Sequence, residues 1–386
     1  MVHFSENSLI VNLRRLLHFY GLWPGPNANR FYYLYSYCLH VVVSFAYSLF
    51  QTINLLMCMN DVDRFTESVY STLTVIAFFV KLINYMYYQK HIIECLTKLM
   101  RMQRNSRSDE IIFHAKLQFL SKLTIVFFFG ANCTVLAAAL KPLFSTIAVL
   151  PIASWYPLDW QHNTRDFWIV FTHDVIGAFI VGQVNLGMDS YAYYLMAMIT
   201  TQLEVLHINI EELGTNFDQS ETDQSHRKII EKNALSLNLC LREHQMILEL
   251  VSDVKRYFSL QFFAQICLSG TVLACGVHQL NTVSLLENFF HFAYLLAFMT
   301  TVTMQTFLYT YYGHGVLKAS DELSKAVYLS KWYKLLPDLG KDLTILMECL
   351  KRKCEITAGK LFSMNLSLFQ KIMDLSYRLY LFLQSV

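Results

Sequence analysis

Apolar residues gather into seven long stretches, at roughly 32–58, 66–88, 123–147, 167–199, 257–280, 288–313 and 361–386. Each exceeds the about 20 residues that a helix needs to cross a hydrocarbon core of about 30 Å. The pattern predicts an all-α membrane protein with seven transmembrane helices, preceded by a polar segment over 1–31. Two of the intervening polar segments are too long and too periodic to be plain loops. From about 228 to 256, Ile230, Ala234, Leu237, Leu241 and Ile247 recur at helical spacing and run without a breaker towards the fifth stretch, as a helix projecting from the membrane would.

Between 314 and 360 the spacing predicts two more helices. In the first, Ser320 is the expected N-cap with Asp321 and Glu322 in the first turn; Leu323, Val327, Tyr328 and Trp332 follow, and Pro337 ends it. In the second, Leu343, Leu346 and Leu350 lie three and four apart, and Lys351, Arg352 and Lys353 complement the C-terminal dipole. These apolar faces need a partner. Packing within one subunit and an oligomerisation platform are both open at this point. The stretch 215–228, rich in Asp, Gln, Ser and Thr, reads as a linker.

The last apolar stretch is the unusual one. Ser367, Lys371, Asp374, Arg378 and Ser385 fall four, three, four and seven apart, on one helical face. Charges in mid-membrane cost several kcal/mol unless paired or wetted, so this face cannot look at lipid. Asp374 paired with Lys371 or Arg378 inside a bundle would satisfy the pattern. So would a water-filled path closed near its outer end by bulky groups such as Phe382, which needs one helix from each of several subunits.

Charge supplies the orientation. Of 31 Lys and Arg, 25 lie in the segments 1–31, 89–122, 200–256 and 314–360, and only Arg64 and Arg165 lie in the others. Positive-inside bias puts the N-terminus in the cytoplasm and the C-terminus outside, with the helices of 314–360 on the cytoplasmic side. This is inverted relative to G-protein-coupled receptors, and a transporter would show an internal repeat with broken helices, which is not evident. With 54% hydrophobic and 16% charged residues, the chain needs no soluble core to explain it. The first thirty residues offer no uninterrupted apolar run before a cleavage site, so the first span is the expected insertion signal. A net charge of +2 argues against nucleic-acid binding. Nine cysteines without a CxxC pair argue against zinc and disulfides. The sequons at Asn132 and Asn365 fall inside expected spans.

Enzyme signals are weak. His207 and Glu211 stand four apart without a third ligand, and no nucleophile elbow, phosphate loop or cofactor motif occurs. The outer halves of spans two to six carry aromatic, small and hydroxyl residues with little charge: Tyr70, Leu73, Thr74, Cys133, Thr134, Ala137, Phe171, Val175, Phe179, Leu268, Thr271 and Tyr294. They suit either ordinary helix packing or a pocket for a small apolar ligand. Asp189 reads as a structural anchor in the cytoplasmic mouth.

The tail is more specific. Ser320 to Leu323 with Tyr328, Trp332-Tyr333, Ile356 to Phe362, Leu366 to Phe369 and Ser376-Tyr377 closely resemble insect odorant receptors. Leu150-Pro151, Trp155 to Pro157, Asp189 and Gln202 to Leu206 resemble the same family. The resemblance implies an odorant-gated, non-selective cation channel of four subunits in the plasma membrane of olfactory sensory neurons. Its pore would come from the last helices, with Phe382 at the hydrophobic gate beside Ser385 and Val386. It further implies a cytoplasmic helical anchor, made from the inner parts of helices four to seven and taking in 314–360, with contact between subunits through Val327, Tyr328, Trp332, Leu343, Leu346 and Leu350, and a small volatile apolar ligand among the twelve residues above. A short connection between spans four and five, where the shared co-receptor has a long insertion, implies a ligand-tuning subunit that joins that co-receptor in a heterotetramer. The charged trio Lys371, Asp374 and Arg378 departs from the more neutral co-receptor helix, and so disfavours four copies of this chain around one cation path. A gustatory-type channel is the nearest alternative, but the Thr-Tyr…Gln-Phe signature of those receptors is missing from the last span; Thr310-Tyr311 stands at the end of the sixth.

Overall fold

A computed structural model describes residues 8–25, 28–102, 107–145, 148–215, 223–283 and 289–385. The elements are α1 (Ser8–Phe19), α2 (Arg30–Leu39), a π-helical turn (His40–Phe45), α3 (Ala46–Met57), α4 (Val62–Tyr87), α5 (Gln89–Arg101), α6 (Arg107–Leu143), α7 (Thr164–Glu211), α8 (Asp223–Thr282), α9 (Phe289–Leu329), α10 (Trp332–Leu350), a hairpin of β1 (Thr357–Ala358) and β2 (Phe362–Ser363), and α11 (Leu366–Ser385). The first span is α2 and α3 joined through the π-turn. The others are α4, α6, α7, α8, α9 and α11.

Six of these crossings are long and apolar enough to span a bilayer on composition alone. The seventh, α11, has the length: 20 residues rise about 30 Å. Its three charges are what set it apart. The other long helices overshoot the membrane. At 1.5 Å per residue the 60-residue α8 is about 90 Å long and the 48-residue α7 about 72 Å. Against a core of about 30 Å, much of each stands in water. With α5 and α10 these overhangs build the helical anchor on the positively charged side.

Polar side chains start several helices. Asp61 caps α4 by accepting from the Arg64 amide at 3.3 Å, and Asn163 caps α7 by accepting from the Arg165 amide at 3.0 Å. The inner half of α7 is the axis of the molecule: from Val184 to Leu203 nearly every residue is buried, including Tyr191, Tyr193 and Tyr194. A helix apolar on all sides has this place open to it. Around it, α1 lays Leu9, Ile10, Leu13 and Leu17 inward, and α5 does the same with Ile92, Cys95, Leu96 and Leu99. Lys98 on α5 pairs with Asp253 on α8.

Several expectations need correction. The last helix begins at Leu366, not 361. Gly359 and Lys360 both take φ of 61°, a turn open to glycine at little cost, and the chain doubles back as a hairpin before Asn365 caps α11 through the Leu368 amide at 2.9 Å. Ser320 is no N-cap, since α9 runs through it to Leu329; its Oγ instead accepts from the Cys354 amide at 2.7 Å and ties the hairpin approach to α9. Pro337 does not end its helix at once, and the backbone kinks two residues later at Leu339 (φ −121°, ψ 16°). Of the expected linker, 216–222 lie outside the described residues, and from Asp223 the chain is already helical. Both sequon asparagines have structural employment: Asn365 as the cap just described, and Asn132 bridging α6 to α7 by accepting from Gln183 Nε2 at 2.9 Å.

The anchor faces fold inward. Val327, Leu343, Leu346 and Leu350 are buried within this one chain, and Trp332 packs partly against the same core. They are therefore taken up by the subunit itself and are not free to meet a neighbour. Tyr328 is the exception, at 81% exposure, and Leu329, Tyr333 and Leu336, close to it in sequence, are exposed as well.

Candidate functional site: an apolar cavity and a charged last helix

Where α3, α4, α6, α7 and α9 converge, they border a partly open cavity of about 130 Å³. Its apolar wall includes Val75, Phe78, Phe127, Ala131, Val135, Ala138, Val181, Leu186, Phe298 and Val302. Apolar cavities near 150 Å³ stay dry and take up benzene-sized molecules, which sets the scale of a guest at about that size. Tyr47 reaches this wall because Gly177 faces it on α7: a Cβ there would come within 2.6 Å of the Tyr47 ring. A larger residue at 177 would push that ring into the cavity.

The polar lining is mostly committed. Ser71, Thr74, Thr134 and Thr301 donate their hydroxyls to carbonyls of their own helices at 2.8 to 3.1 Å. Gln51, on α3, is fully buried, and its side-chain amide makes no hydrogen bond of good geometry, with the Tyr47 hydroxyl beside it. Leaving such a group unpaired costs about 1–3 kcal/mol.

An outer loop closes the top. Ile152 enters the cavity wall, and the loop around it is pinned by Asp174, a fully buried carboxylate on α7. Asp174 accepts from the Ile152 amide at 3.0 Å, from Ser154 Oγ at 3.3 Å and from the Tyr156 hydroxyl at 3.3 Å. That hydroxyl also lies 2.9 Å from His173 Nδ1. One carboxyl group with three neutral donors holds the cover.

A buried ion pair forms the floor. Lys81 on α4 donates to both carboxylate oxygens of Asp189 on α7 at 3.0 Å and to Asn185 Oδ1 at 3.0 Å. Both charged side chains are wholly shielded from solvent. Asp189 also accepts from Gln305, from the Tyr309 hydroxyl, and from Gln261 Nε2 at 3.4 Å. Gln265 Nε2 donates to Gln305 Oε1 at 3.0 Å. The network joins α4, α7, α8 and α9. Asn185 and Gln305 belong to it and to the cavity wall at once, so the ion pair and the cavity share two side chains.

Of the twelve residues expected to face a ligand, Thr74, Thr134 and Tyr294 line the cavity. Tyr70, Leu73 and Ala137 stand just behind it, in a cluster with Tyr294, and the Tyr70 ring lies 5.3 Å from that of Phe298. Cys133, Phe171, Val175, Phe179, Leu268 and Thr271 are not in the wall. Phe171 packs instead on Phe167 and Trp168, and Phe179 is 43% exposed. On α7 the chosen stripe is rotated from the inward one, which runs through Asp174, Ala178, Val181 and Asn185. On α8, no residue reaches the cavity. Tyr47, Gln51, Ile152, Asn185 and Gln305 are lining residues that spacing did not find. Gln51, an uncharged amide in mid-span, is the one with a readable signal.

On α11, Ser367, Lys371, Asp374, Arg378, Phe382 and Ser385 are all exposed, while Leu368, Ile372 and Ser376 on the other side are buried against the chain. Asp374 and Arg378 form an ion pair at 2.9 Å that is itself exposed. Val386 lies outside the described residues.

Comparison with known proteins gives relatives in sequence and in fold. The chain is 22% identical over 374 residues to Odorant receptor 94a of Drosophila melanogaster, covering 94% of this chain and 93% of that one. It is 24% identical over 395 residues to Odorant receptor Or1 of Anopheles gambiae, covering 96% and 93%. In three dimensions it matches the insect olfactory receptor OR5 from Machilis hrabei, solved in complex with eugenol, with a TM-score of 0.86 at 16% identity over 99% of each chain. A model of the family described as 7tm Odorant receptor matches residues 61–377. With more than half its length matched by that model, the chain belongs to the odorant receptor family.

Proposed function

We propose that this chain is the odorant-binding subunit of a ligand-gated, non-selective cation channel. It works in the plasma membrane of an olfactory sensory neuron, in a heterotetramer with the shared co-receptor. A small volatile molecule occupies the cavity beneath Ile152, and the last helices of the four subunits border the ion path.

The observation that carries this reading is the two-sidedness of α11. Its charged face, with Lys371, Asp374 and Arg378, turns away from its own subunit and cannot rest in lipid, so it needs water or a partner. A single helix cannot enclose water. Several copies around an axis can, with Phe382 as the outer constriction and Ser385 beside it. The exposed apolar residues Tyr328, Leu329, Tyr333 and Leu336 then serve as the contact between anchors, in place of the buried leucines of α10.

Gating follows from the cavity. A guest that fits better when the surrounding helices adopt their open arrangement shifts the equilibrium by its differential affinity, about 1–3 kcal/mol per site on the usual scale. The test is electrophysiology on cells expressing the chain with and without the co-receptor, with G-protein signalling blocked. Odour-evoked currents that need the co-receptor and survive the block are expected. Currents that vanish with the block, or that persist undiminished without the partner, overturn the proposal.

A further inference from the structure

We propose that Gln51 is the polar recognition point of the cavity, so that the chain is tuned to small oxygenated volatiles, such as ketones, esters and alcohols, over hydrocarbons of the same shape. This rests on the channel reading above and specifies the ligand class for its cavity. Gln51 is fully buried and borders the cavity, and its amide makes no hydrogen bond of good geometry, with the Tyr47 hydroxyl beside one end and nothing polar taking the other. That hydroxyl, one helical turn earlier and on the same wall, can meet only one of the two ends. Elsewhere in the wall, Ser71, Thr74, Thr134 and Thr301 spend their protons on backbone carbonyls, and Asn185 Oδ1 is held by Lys81.

A primary amide offers a donor and an acceptor about two bonds apart. A carbonyl guest takes the donor, and an alcohol can use either. A guest without oxygen offers the buried amide no hydrogen bond, so a polar site of this kind discriminates against the analogue that lacks the hydrogen-bonding atom. The position is also fixed. Gly177 lets the Tyr47 face of α3 seat against α7, and Thr72 Oγ1 on α4 donates to the Gln51 backbone carbonyl at 3.5 Å.

The test is a dose–response series on cells co-expressing the chain and the co-receptor. The probes are shape-matched pairs of volatiles of about six to eight carbons, near the benzene-like size such a cavity accepts, each alcohol or ketone set against its hydrocarbon counterpart. In the wild type the oxygenated member of each pair should be more potent by about tenfold or more, equivalent to about 1.4 kcal/mol. In Gln51→Leu, with Gln51→Met as a second variant and surface labelling as the control, that advantage should collapse while hydrocarbon potency holds or improves. Equal potency within pairs in the wild type overturns the proposal without any variant. So does a parallel loss for both classes in variants that reach the surface. Failure of the underlying channel reading is separately visible, because then no volatile opens the wild-type complex or the current depends on G proteins.

Discussion

Replacing Lys81 with Met tests whether the buried ion pair beneath the cavity holds the bundle together. Methionine keeps most of the chain volume and removes the ammonium, leaving Asp189 facing two glutamines and a tyrosine with its counter-charge gone. Breaking a buried pair by removing one partner costs about 3–5 kcal/mol, a large part of the about 5–15 kcal/mol that ordinarily separates folded from unfolded states. Larger domains lose roughly 2 °C of melting temperature per kcal/mol, so a fall of about 6–10 °C is expected. The double variant Lys81→Met with Asp189→Asn removes the orphaned charge while keeping an acceptor for Tyr309, and should recover most of the loss. Thermal unfolding of the purified, detergent-solubilised assembly, with surface expression alongside, reads both. A single variant that melts within about 2 °C of wild type, or a double variant worse than the single, would refute the argument.

Three further outcomes follow from the same geometry. Ala131→Leu, which fills the cavity, should weaken responses to all volatiles by tenfold or more, while Phe171→Ala and Phe179→Ala, outside its wall, should leave dose–response curves within twofold; the reverse ranking would mean the guest sits elsewhere. Asp174→Ala removes the acceptor of three bonds that hold residues 152–156 over the cavity, so current should decay faster after odour washout with little change in surface expression; unaltered decay would show that the loop is not the cover. Phe382→Ala should raise leak current without loss of expression, and a silent variant would remove Phe382 from the gate.

The reach of the sequence differs between backbone and side chains. Length and charge alone make the seven crossings and their orientation legible, because a bilayer demands about 20 apolar residues and sorts Lys and Arg by side. The polar stripe of α11 is legible for a similar reason: spacing alone puts Lys371, Asp374 and Arg378 on one face, and lipid forbids that face. What spacing does not supply is the partner. Lys81 and Asp189 stand 108 residues apart, and neither announces the other. The faces of α10 read as apolar, yet whether Leu343, Leu346 and Leu350 meet their own subunit or another is a tertiary fact, and they meet their own. The cavity is half legible. Helices α6 and α7 are apolar on most sides, so no moment marks the inner face, and a one-residue shift turns a chosen stripe by about 100°. Hence Phe171, Val175 and Phe179 miss the cavity where Asp174, Ala178 and Val181 face inward. The loop residue Ile152 has no periodicity to reveal it.

The central claim is that the charged face of α11 borders the ion path, and cysteine substitution with a charged thiol reagent applied from outside reads it directly. Cysteines placed at Asp374, Arg378 and Ser385 in the complex with the co-receptor should each make the odour-evoked current sensitive to the reagent, with faster modification when the channel is open. Cysteines at Leu368 and Ile372, on the buried side, should stay silent. Modification of Leu368→Cys and Ile372→Cys that blocks current, with no effect at Asp374, Arg378 or Ser385, would contradict the account.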